Sequence, residues 1–162
     1  INNKAYNTFL AMTGGKLITN FRSPVIAKLN LNKLIAFSVF NKARVEERDE
    51  RRLSDIKTIQ TALTSYFDTF GGYPSSLEPA LTEAQVIVTV PRDPKTGAPY
   101  LYSALNVGCT SYHLGARLEN LRNNLLFADL DGGIGIVGTN CPDGRASEAD
   151  FSGVDPIYDI KP

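Results

Sequence analysis

The chain has 162 residues, enough for one domain with an appended segment, and its 43% hydrophobic content is sufficient for a core. Its 17 Lys and Arg balance 17 Asp and Glu, so neither sign dominates and nothing in the charge indicates a nucleic-acid partner. No stretch reaches the ~18 to 20 consecutive apolar residues of a membrane span, and Ile1-Asn2-Asn3-Lys4 leads into no apolar region of the kind a secretory signal carries.

Residues 1–32 read as an atypical N-terminal segment, an assembly element or a fusion, punctuated by Thr13-Gly14-Gly15-Lys16 and Ser23-Pro24. Gly14-Gly15-Lys16 is not a phosphate loop: the first glycine of that motif is missing, and Leu17 stands where a hydroxyl should ligate magnesium. From about residue 31 to residue 70 there is no Pro or Gly, which predicts a long helix, taken as the 33–70 unit. Leu53, Ile56, Ile59, Leu63, Tyr66, Phe67 and Phe70 recur at steps of three and four, placing them on one stripe that packs against the rest of the fold. Gly71-Gly72 supplies the left-handed stop. Residues 42–52 are almost wholly charged, a solvated helix surface or a collar where neighbouring subunits meet, with Glu47 and Arg51 in the favoured i,i+4 order.

Residues 71–162 form the predicted globular head. Gly72-Tyr73-Pro74-Ser75-Ser76 is a loop, residues 78–84 a helical turn, and residues 86–90 a short apolar run. After a Pro-rich connector, residues 100–103 and 110–118 read as strands joined by a reversal at Asn106-Val107-Gly108, and Ile157-Tyr158-Asp159-Ile160 as a last strand. Residues 129–155, rich in Gly and Asp, read as irregular loop. One helix followed by strands predicts an α+β fold: a long N-terminal helix packed on a small antiparallel sheet, with a Gly/Asp-rich C-terminal loop.

Cys109 and Cys141 lack zinc-site spacing, and the single His113 cannot complete a four-ligand set. They are compatible with one disulfide in an oxidising compartment, or are two unrelated thiols. A Cys109/His113 nucleophile pair fails on reach, since four strand residues span roughly 13 Å. With no other acid–base constellation, the chain is read as non-enzymatic. The acidic residues Asp129, Asp131 and Asp143, followed by Glu148, Asp150 and Asp155, can offer the oxygens a hard cation needs, though not at EF-hand spacing.

Several of these segments together resemble a known family. Arg52-Leu53-Ser54-Asp55-Ile56-Lys57-Thr58-Ile59-Gln60-Thr61-Ala62-Leu63, then Tyr66-Phe67 and Gly72-Tyr73-Pro74, look like the second half of the pilin long helix and its exit. Pro91-Arg92-Asp93-Pro94, Gly97, Pro99-Tyr100 and Tyr102 are similar to the turn that opens the family's sheet, and Ser111-Tyr112-His113-Leu114-Gly115-Ala116 to its next strand. Asp155-Pro156-Ile157-Tyr158-Asp159-Ile160 is similar to a C-terminal segment of some members. The chain thus resembles type IV pilins and, most of all, type II secretion major pseudopilins over about residues 40–118 and the end.

The resemblance implies a structural subunit of a type IV pilus or a type II secretion pseudopilus. Its partners would be other copies of itself in a helical homopolymer, the pilus or secretion assembly machinery, and the inner membrane before assembly where a native apolar helix exists. It implies a bacterial cell-surface or extracellular location, or a periplasmic pseudopilus, and calcium in the C-terminal loop. The chain departs from the family where an apolar helix of ~20 residues is expected: residues 29–40 are interrupted by Asn30, Asn32 and Lys33 and lack the usual glutamate. That departure favours an alternative function, a soluble pilin-like adhesion or ligand-binding module that does not polymerise.

Overall fold

A computed structural model describes residues 24–162, with side chains from residue 33 onward. The Gly14-Gly15-Lys16 stretch and most of the 1–32 segment therefore lie outside the described residues. Helix α1 spans Pro24–Phe70. It starts seven residues before the expected residue 31, because proline at the first helical position has no N–H to lose and already holds a helical φ. No helix among the described residues is long and apolar enough to cross a membrane.

The chain divides into two compact units, residues 1–43 and 44–162. In the first, Leu34, Ile35, Phe37, Val39 and Phe40 are exposed, by 43–65%. In the second, α1 is followed by the short helix α2 (Ala80–Glu83), strands β1 (Leu101–Leu105) and β2 (Ser111–Arg117), a 3-10 turn at Asn124–Phe127, and strand β3 (Ile157–Ile160). Among the described residues the strands form one antiparallel sheet in the order β1-β2-β3. Leu101 pairs with Gly115, Ser103 with His113, and Gly115 in turn with Asp159.

Alternation along these strands gives the sheet two different faces. Tyr112, Leu114 and Ala116 share one core with Ile56, Ile59, Ala62, Leu63 and Tyr66 of α1, and with Tyr73, Leu77 and Leu81 beyond it. The ring of Tyr112 meets that of Tyr73 edge-on at 4.7 Å, and Tyr100 Oη donates to Asp55 Oδ2 of α1 at 2.7 Å. Ile56, Ile59 and Leu63 are thus the heart of the stripe, with Phe67 half-buried beside them.

The two ends of the stripe behave differently from expectation. Leu53, six residues before Ile59, sits about 120° round the helix and is half-buried outside this core. Phe70 is 46% exposed; in the last helical turn its ring meets that of Tyr66 at 4.4 Å, tilted by 35°, and lines an open cavity of about 320 Å³ instead of the core. Gly71 then stops the helix with φ +75°, its N–H donating to Phe67 O at 2.8 Å.

The charged middle of α1 is mostly exposed, as a solvated helix surface is, but Arg48, Asp49 and Arg52 turn one side of it toward the rest of the fold. Asp49 and Arg52 are each 2% exposed. Arg52 donates to Asp49 (2.7 Å), Asp93 (2.6 Å) and Glu119 (2.8 Å), while Arg48 and Lys95 also hold Glu119. Asp49 accepts the backbone N–H groups of Glu119 and Asn120. The helix is therefore fastened to the connector before β1 and to the loop after β2. Arg51 faces Asp55 at 3.9 Å, one turn on from the expected Glu47.

Candidate functional site

The sheet face away from α1 carries Ser103, His113, Gly115 and Asp159, as the register dictates. Residues 128–156, which contain no helix or regular strand, fold over this face. Val137 and Thr139 bridge to Leu105 and Val107, extending the sheet past β1. Gly138 fits there because a Cβ would press on Ala104 O and Cys109 Sγ. A disulfide joins Cys109 to Cys141, with a Cα–Cα distance of 5.0 Å, and pins the loop to the β1–β2 turn. Cys109 therefore precedes β2 and has no free thiol to pair with His113.

Within the loop the acidic residues fall into two groups. Asp129, Asp131 and Asp155 bring one carboxylate oxygen each within 4.8 Å of one another. Both oxygens of Asp129 are buried without a hydrogen-bond partner, as is Oδ1 of Asp159. Burial, then the charges of Asp159, Asp131 and Asp155, push the Asp129 carboxyl up to about 6. The Asp159 backbone N–H pulls slightly the other way, without forming a hydrogen bond of good geometry. The two buried, donor-less oxygens of Asp129, beside the exposed carboxylates of Asp131 and Asp155, are the arrangement an oxygen-seeking cation would fit.

Asp143, expected in this set, stands elsewhere. The disulfide places residue 141 beside the β1–β2 turn, and Asp143 Oδ2 accepts from Ser75 Oγ (2.6 Å) and Ser75 N (3.1 Å), holding the helix exit. Asp155 takes its place because it lies two residues before β3, whose pairing with β2 carries it back toward Asp129 and Asp131.

Beside this cluster lies a constellation that pattern reading does not assemble. His113, fully buried, has Nδ1 2.8 Å from Asp150 Oδ1 and Nε2 2.5 Å from Asp159 Oδ2. The imidazole thus bridges two carboxylates, with both of its ring nitrogens engaged. Phe151 stacks on the ring at 3.9 Å, where Gly115 leaves room for it. One signal was present in the sequence. His113 falls on the strand face opposite Tyr112 and Leu114, and a lone ionisable group on a covered face requires a partner.

No protein-family model, curated protein or solved structure matches this chain.

Proposed function

We propose that the chain is a non-enzymatic structural subunit of an extracellular filament of the type IV pilus or type II secretion pseudopilus kind, and that its C-terminal loop binds calcium. The observation that carries the reading is the division of labour along α1. Its second half packs on a small antiparallel sheet, while Leu34, Ile35, Phe37 and Val39 of the first half are exposed. Exposed large apolar side chains on a helix mark an association surface. In a filament that surface would be covered by the same helix of neighbouring copies. The motif resemblance over residues 52–74 and 91–116 adds to the reading, as does the disulfide, which suits an oxidising compartment.

For calcium, the support is the oxygen-only cluster of Asp129, Asp131 and Asp155, with two buried Asp129 oxygens left without donors. Three carboxylates offer up to six oxygens between them, within the six to eight that calcium takes. Negative-stain electron microscopy of native purified material tests the filament. Fibres support it; a monodisperse monomer under all calcium and salt conditions favours the binding-module reading and overturns it.

A further inference from the structure

The two carboxylates that flank His113 also hold the acidic loop from behind. Asp159 Oδ2, besides its bond to His113 Nε2, accepts the N–H of Gly132 at 3.4 Å. Asp150, besides its Oδ1 contact with His113 Nδ1, uses Oδ2 to accept the N–H of Gly135 at 2.7 Å. One imidazole thus fixes, through two carboxylates, two backbone N–H groups three residues apart. They lie on the segment that carries Asp129 and Asp131.

The third acidic residue is tied to the same hub. Phe151 N donates to Asp150 Oδ1 at 2.9 Å while its ring covers His113. Gly153 N then donates to Gly132 O at 3.2 Å, two residues before Asp155. A Cβ on Gly153 would collide with the Asp159 carboxylate, so this crossing depends on glycine. One imidazole therefore stands behind the segments that carry Asp129, Asp131 and Asp155, and the loop held by these bonds would present its carboxylates to a divalent cation.

We propose that His113, Asp150 and Asp159 form a positioning clasp for the cation site, so that closing the clasp and binding a divalent cation reinforce one another. The inference rests on the cation reading above. By linkage the coupling is reciprocal: what loosens the clasp weakens the cation, and the cation tightens the clasp. Outer-shell groups of this sort typically change metal affinity 10–100-fold.

The test is calorimetric titration of calcium chloride into the full chain, stripped with chelator, as wild type, His113→Gln, Asp150→Asn and Ile59→Ala. The first two should bind calcium at least tenfold more weakly. Ile59→Ala, a core change remote from the loop in sequence, should destabilise the fold yet keep wild-type affinity, separating positioning from general loss of stability. Should His113→Gln fail to fold, the imidazole N–H signals of His113 in the unchanged chain provide the second readout. Calcium should slow their exchange with solvent. Wild-type affinity in both clasp variants, or imidazole signals indifferent to saturating calcium, overturns the clasp. Failure of the unchanged chain to bind calcium is a different result, removing the cation site and the clasp's role together.

Discussion

Replacing Arg52 with methionine keeps much of the side chain's apolar body and removes the guanidinium. Three carboxylates lose a donor: Asp49 at 2.7 Å, Asp93 at 2.6 Å and Glu119 at 2.8 Å. The Arg52 and Asp49 side chains are each only 3% exposed, so water cannot easily replace what is lost. Glu119 keeps Arg48 and Lys95, and Asp93 keeps the N–H groups of Lys95 and Thr96. Asp49 keeps the backbone N–H groups of Glu119 and Asn120 but loses its hydrogen-bonded cation, so the cost is mostly that of leaving its buried carboxylate without that cation and of weakening Asp93. Breaking a buried ion pair from one side costs about 3–5 kcal/mol, and the partners that remain place Arg52→Met toward the lower end. For a folded unit of this size that is a fall in melting temperature of roughly 10 °C. Arg51→Met is the internal control: Arg51 is 71% exposed and its Asp55 contact is 3.9 Å, so the change should stay within about 0.5 kcal/mol. Urea titrations of both variants at neutral pH measure the difference. Equal losses would refute the claim that the network holds helix to head.

The same network predicts acid sensitivity. Burial pushes Asp93 up, but hydrogen bonds from Arg52, Thr96 and Lys95 outweigh it and hold the carboxyl well below its usual range. Glu119 is held low chiefly by Arg48, against burial, with help from Lys95 and Arg52. The folded state then binds fewer protons than the unfolded one, so this stability is fully present above the ordinary carboxylate values of 3.8 and 4.5 and is lost as pH falls below them. Urea midpoints between pH 7 and pH 3 should fall more steeply in wild type than in Arg52→Met. Converting Cys109 and Cys141 together to serine opens a loop of 32 residues and should cost about 4 kcal/mol, read as a lower melting temperature that reductant no longer affects. Calcium at 100 times its Kd should raise the stability of the wild type by about 2.7 kcal/mol. That gain should vanish in Asp129→Ala, Asp131→Ala and Asp155→Ala and persist in Asp143→Ala; its survival in Asp129→Ala would exclude the assigned cluster.

What could be foreseen and what could not divides by how far apart in sequence the interacting groups lie. Ile56, Ile59 and Leu63 announce their packing within eight residues, because a 3.6-residue period and an uninterrupted run are local properties. Gly71 and the strands at Leu101–Leu105, Ser111–Arg117 and Ile157–Ile160 are equally local signals. Burial of Arg52 has no local signal. Its run of mixed charge looks like any solvated helix, and the partners that desolvate it, Asp93 and Glu119, stand 41 and 67 residues away.

The acidic loop lies between these extremes. That residues 129–155 could gather oxygens was legible from composition, but which three would meet was not. Two long-range constraints decide it: the disulfide, which carries Asp143 off to Ser75, and the β2–β3 register, which returns Asp155. The same register puts Asp159 opposite Gly115 and within reach of His113. A carboxylate inside a strand is costly unless paired. Asp159 in Ile157-Tyr158-Asp159-Ile160 therefore needed a polar partner, and His113, the chain's one histidine, stands on the matching face.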